Sequence, residues 1–72
     1  MKHIKSTMPV ITKIKGIRCA LWKHDDFMEI TAQTDNIELV FQISEIFEKK
    51  YKFSSFVIHK ERIPHAHLIF RK

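Results

Sequence analysis

The stretch Ile17-Arg18-Cys19-Ala20-Leu21-Trp22-Lys23-His24-Asp25-Asp26-Phe27-Met28-Glu29-Ile30-Thr31-Ala32 decides the fold. Apolar side chains recur at every second position on either side of an Asp-Asp pair, the period of a strand with one buried face. Ile17, Cys19 and Leu21 fall on one face; Arg18, Ala20, Trp22 and His24 fall on the other. Beyond the pair, Met28, Ile30 and Ala32 alternate with Phe27, Glu29, Thr31 and Gln33. A two-residue turn at Asp25-Asp26 sets Leu21 opposite Ile30 and Cys19 opposite Ala32. The two apolar sets then share a face, which pins the hairpin register. Upstream, the alternation is read as one strand over 11–24, and residues 1–10 as a flexible arm or a short leading strand.

Downstream, the period changes from two to 3.6. Asp35 is expected to cap a helix, with Glu38 completing a capping box. Over 36–51, Ile37, Val40, Ile43, Phe47 and Tyr51 form one stripe flanked by Leu39 and Ile46, with Glu38, Gln42, Glu45 and Lys49 opposite. Phe41 falls among the polar positions, and Lys49, Lys50 and Lys52 suit the negative end of the helix dipole. Residues 53–61 and 65–71 are aromatic and β-branched and read as two more strands, with Pro64 between them. The expected fold is α+β: one helix on a small antiparallel sheet, in the order strand-strand-helix-strand-strand.

At 72 residues the chain suits a single domain, 1–72, of modest stability that a second subunit would reinforce. A hydrophobic fraction of 44% argues against disorder. The single cysteine, Cys19, permits neither an internal disulfide nor a cysteine-rich zinc site, so a reducing, cytoplasmic location is expected. No apolar run is long enough to span a bilayer, and Met1-Lys2-His3-Ile4-Lys5 does not lead into a secretory signal. Thirteen Lys and Arg against eight Asp and Glu give a net charge of +5, which suits nucleic acid, an anionic membrane surface or an acidic protein as partner and equally suits ordinary solubility.

The last hairpin gathers histidines. A three-residue loop at Arg62-Ile63-Pro64 sets Glu61 opposite His65, His59 opposite His67 and Val57 opposite Ile69. Phe56, Ile58, Lys60, Ala66, Leu68 and Phe70 then share one face; Val57, His59, Glu61, His65, His67, Ile69 and Arg71 share the other. An even loop would mix the two sets, and a one-residue slip moves every side chain across the sheet. His59, Glu61, His65 and His67 thereby become candidate ligands for a divalent metal, since imidazole and carboxylate suit such ions; solvated sheet histidines are the plainer account.

The stretch Pro64-His65-Ala66-His67-Leu68-Ile69-Phe70 resembles the His-hydrophobe-His strand of HUH nucleases and transposases, which nick single-stranded DNA with a metal and a tyrosine nucleophile. The resemblance covers seven residues. It implies His65 and His67 as metal ligands, Glu61 or His59 as an assisting group and Tyr51 as the nucleophile. Tyr51 precedes the histidine pair, as in the relaxase branch and unlike the Rep branch, and the helical periodicity points it at the core.

No glycine-rich phosphate loop is possible with one glycine, Gly16, and Cys19 on the apolar face suits packing better than nucleophilic attack. The reading therefore favours a non-enzymatic protein. An open sheet face bearing rings among cations can stack unpaired bases and hold their phosphates. Arg18, Trp22, Phe27, His59, His67 and Arg71 are the expected contacts to DNA or RNA, single-stranded by preference, with no cofactor required. A homodimer that buries Trp22, Phe27, Val57 and Ile69 is expected as well, on part of the same face. The alternative functions are an interaction module or inhibitor of the kind viruses and mobile elements carry, and a metal-dependent single-stranded DNA nicking domain.

Overall fold

The computed structural model describes residues 8–72. The fold is α+β, with one helix and a five-stranded antiparallel sheet. Along the chain the elements are β1 (Val10–Ile14), β2 (Ile17–Lys23), β3 (Phe27–Ala32), α1 (Ile37–Phe47), β4 (Lys52–His59) and β5 (His65–Arg71). In space the strand order is β1-β2-β3-β5-β4. Strands β3 and β4 both run antiparallel to β5, so they are parallel to each other, and α1 makes the crossover between them.

The segment 11–24 is two strands rather than one, which corrects the order to three strands, a helix and two strands. Lys15 and Gly16 have φ of 56° and 79°. Positive φ at both central residues defines a type I′ turn, whose twist matches a two-residue hairpin. The turn also changes the phase of the alternation: Ile14 pairs with Ile17, so even-numbered residues of β1 share a face with odd-numbered residues of β2. Val10 begins β1; the rest of the expected arm lies mostly outside the described residues.

At the Asp25-Asp26 turn, Leu21 pairs with Ile30 and Cys19 with Ala32, as the alternation required. His24 N donates to Phe27 O at 2.9 Å and closes that turn. Cys19, Met28, Ile30, Ala32, Ala66, Leu68 and Phe70 are buried on the face that Val40 and Ile43 of α1 cover. Ser44 is buried in the same layer, and its hydroxyl donates to Phe41 O at 2.8 Å, so no polar group there is orphaned. Burial also pushes the Cys19 thiol up from its ordinary value, with a backbone hydrogen bond opposing it, consistent with a packing role.

The helix is shorter than its periodicity implies. Its N-cap is Asn36, not Asp35: Asn36 Oδ1 accepts from Glu38 N at 2.9 Å and Leu39 N at 3.2 Å. The helix ends at Phe47, with Glu48 as C-cap, so Lys49 and Lys50 lie beyond it and no basic residue occupies the last turn. Tyr51 packs partly buried against the core from the connection to β4. Phe41, the outlier of the helical pattern, sets its ring edge-on to Phe56 at 5.3 Å.

In the last hairpin His59 pairs with His65, Val57 with His67 and Ser55 with Ile69. The loop is therefore residues 60–64, five long instead of three. Both lengths are odd, so the two faces stay as expected, but each pairing slips by two residues. A two-residue slip leaves burial unchanged, so alternation alone could not exclude it. A bulge between Phe53 and Ser55 lets Phe53 return to the covered face against Phe70, with ring centroids 5.2 Å apart.

Candidate functional site

The face away from α1 is left open. Cross-strand partners share a face, so the ladders assign it residue by residue. Trp22, Glu29 and Ile69 form one row, with Ser55 at its end. Ala20, Thr31, His67 and Val57 form the next. Phe27 pairs with Arg71, and Arg71 with Lys52, at one end of the sheet. His59 pairs with His65 toward the other end. Arg18, exposed on β2, carries the β1 partner Lys13 on the same face.

Thus Arg18, Trp22, Phe27, His59, His67 and Arg71 lie together on the open face, as the two-residue alternation implies. Their surroundings contain two groups that the sequence reading placed on this face but assigned no role: Glu29 and His24. His24 Nε2 lies 2.7 Å from Glu29 Oε1, and His67 Nε2 lies 2.9 Å from Glu29 Oε2. Each oxygen of the carboxylate is engaged by a different imidazole, one from the β2–β3 turn and one from β5. The His24 ring also stacks on Phe27, with centroids 4.2 Å apart. Partial burial pushes the Glu29 carboxyl up; hydrogen bonds from His24 and His67, helped by their charge when protonated, outweigh this and hold it below its ordinary value. The signal for this arrangement was the position of a carboxylate mid-strand among rings on the open face.

The four candidate metal ligands do not converge. His59 and His65 stack on each other at a centroid distance of 4.6 Å, and His65 Nδ1 lies 3.1 Å from Ile63 O. Glu61 reaches only 3.9 Å from His59, while His67 is tied to Glu29. Among the described residues no group of three His, Cys, Asp or Glu side chains is placed to hold a metal ion. The two histidines of the His-hydrophobe-His stretch therefore have separate partners, and Tyr51 belongs to the core side of the fold.

Shallow clefts lie along the open face. One of about 450 Å³ is lined by Thr31, Gln33, Glu61, Arg62, Ile63 and His65, and a neighbouring one of about 240 Å³ is lined in part by Arg18, Ala20, Thr31 and Gln33. At the opposite end, Phe27, Ile69 and Arg71 line a third of about 230 Å³. All three ion pairs among the described residues use a histidine as the basic partner, so no Lys or Arg there is neutralised by a carboxylate. No helix among them is long and apolar enough to cross a membrane.

Compared with protein-family models, curated proteins and solved structures, the chain matches none. The site is therefore read from its own chemistry.

Proposed function

We propose that this protein binds single-stranded nucleic acid on the open face of its sheet. The observation that carries this reading is the charge arrangement: the central carboxylate, Glu29, is occupied by two imidazoles, while Arg18 and Arg71 toward the two ends have no acidic partner. Phosphates tracking across the face would meet cations at both ends and no unpaired anion at the centre. Trp22 and the stacked His59–His65 rings offer planar surfaces for unpaired bases. Stacking contributes about 1–3 kcal/mol per base and tolerates any base, so affinity with little sequence preference is the expected behaviour. No catalytic step is required of any residue, and no cofactor enters the reading.

The test is a fluorescence titration with single- and double-stranded DNA and RNA of mixed sequence at two salt concentrations. Trp22, the only tryptophan, reports stacking directly. Binding that quenches Trp22, favours single strands and weakens with salt supports the reading, because displaced counterions make phosphate binding salt-dependent. Absence of binding at low salt would reject it. A salt-insensitive protein partner docking on Trp22 and the exposed Val57 would show that the same face serves protein recognition instead.

A further inference from the structure

The sheet has two edges, and they differ. The β4 edge is interrupted by the bulge between Phe53 and Ser55 and begins with a lysine, devices that discourage pairing with another strand. The β1 edge has no bulge, and its one lysine, Lys13, lies inside the strand, where it restricts the register of pairing and does not block the strand's start. It is regular throughout its pairing with β2, exposed at four of its five positions, and presents Val10 and Ile11 at 62% and 53% exposure. Among the described residues nothing pairs with its outer side.

The backbone of this edge is complementary to itself in one register. Ile14 and Ile17 close the two-residue turn, so Ile14, Thr12 and Val10 direct their backbone groups at β2. Ile11 and Lys13 must then direct N–H and C=O outward. An antiparallel pairing of two β1 strands about a two-fold axis at Thr12 sets Ile11 against Lys13 of the other copy twice over. That gives four backbone hydrogen bonds. Thr12 meets Thr12, and Val10 meets Ile14, apolar against apolar. Shifting the axis to Lys13 would oppose two lysines, a destabilising like-charge pair. Shifting it to Ile11 would oppose Lys13 with Pro9, which has no N–H to donate.

We infer that β1 pairs with β1 of a second copy through this Thr12-centred register, making one continuous ten-stranded sheet. A two-fold axis perpendicular to the sheet keeps both open faces on the same side. The seam runs along Ile11 and Lys13, so the pairing enlarges the open face without covering it. The inference rests on the strand edge and is independent of nucleic-acid binding.

The test measures the mass of the full chain by sedimentation and crosslinks single-cysteine variants under mild oxidation. The native Cys19 is buried and does not compete. Opposed residues without mutual hydrogen bonds in an antiparallel pair have Cα atoms about 4.5 Å apart, within the range a disulfide spans. Thr12→Cys is therefore expected to form a disulfide dimer, while Ile11→Cys and Lys13→Cys, each facing a different residue, do not. Ile11→Pro removes an outward N–H, and Thr12→Lys opposes two charges at the axis; each is expected to weaken dimerisation at least tenfold. If Ile11→Pro does not fold, Thr12→Lys carries the comparison. A chain monomeric at all concentrations, crosslinking of Ile11→Cys or Lys13→Cys as fast as Thr12→Cys, or an unchanged dimer in folded Thr12→Lys would overturn the inference.

Discussion

Glu29 and His67 are 38 positions apart in the chain, yet Nε2 of the histidine lies 2.9 Å from Oε2 of the carboxylate. The contact joins neighbouring strands from either side of the helix in the chain, β3 before it and β5 after it. With His24 on the other oxygen, it engages both oxygens of the central carboxylate of the open face while favouring its ionised form.

Removing that charge should help a phosphate ligand and harm the fold. Glu29→Gln is expected to tighten oligonucleotide binding about fivefold, the effect of a unit charge near 4 Å in a high-dielectric setting, roughly 1 kcal/mol. It should also lower unfolding free energy by about 1 kcal/mol, since hydrogen bonds to the ionised form are lost. Affinity titration and urea unfolding of the same variant check both, and a weakened affinity would mean that Glu29 itself touches the ligand.

Acid should unfold the protein partly through the same residue. The folded fold favours the ionised carboxyl, whose pKa is lowered from 4.5. Its contribution is thus complete above the unfolded value and is lost as pH falls through the folded one. Urea midpoints measured from about pH 6 to pH 3 should fall on the acid limb, and Glu29→Gln should make that limb shallower. An identical limb in the variant would assign the acid sensitivity to other carboxylates.

The ring and the cations should separate in a salt titration. Trp22→Ala is expected to cost about 1–3 kcal/mol of oligonucleotide affinity with the salt slope unchanged. Arg71→Gln should instead reduce the slope by about 0.7, one phosphate contact on a single strand. Equal slopes in the Arg71 variant and the parent would remove Arg71 from the phosphate path.

Gly16 tests the β1–β2 turn. A Cβ added there meets nothing within 4 Å, but its φ is +79°. Gly16→Ala should therefore destabilise by about 1–2 kcal/mol through backbone strain alone, and Gly16→Asn by less, because asparagine tolerates the left-handed region. Urea unfolding of the two variants gives the ordering; equal stability of Gly16→Ala and the parent would show that the turn relaxes.

How much of this was legible follows from what alternation measures. The lone glycine and the switch of apolar positions from 10 and 14 to 17, 19 and 21 were visible signals of the β1–β2 turn, but a strand spanning both sides absorbed them. The helix start was misplaced by one residue because Asp35 and Asn36 are both good caps; the N–H groups of Glu38 and Leu39 lie within reach of Asn36. The split of the last two strands into a buried and an open face survived a wrong loop length because both lengths are odd.

Period-two and period-3.6 burial are properties of consecutive residues, so the chain alone determines the two faces of β2, β3 and β5 and the buried stripe of the helix, whereas the β1–β2 turn and the bulge set the faces of β1 and Phe53. The chain also determines the Asp25-Asp26 hairpin, whose partners are too close in sequence to meet otherwise. Only the tertiary structure decided that β5 lies between β3 and β4, that His59 stacks on His65, and that His67 reaches Glu29. A strand keeps the same faces beside any neighbour and after any even slip, so those choices fall to the loop lengths and the helical crossover.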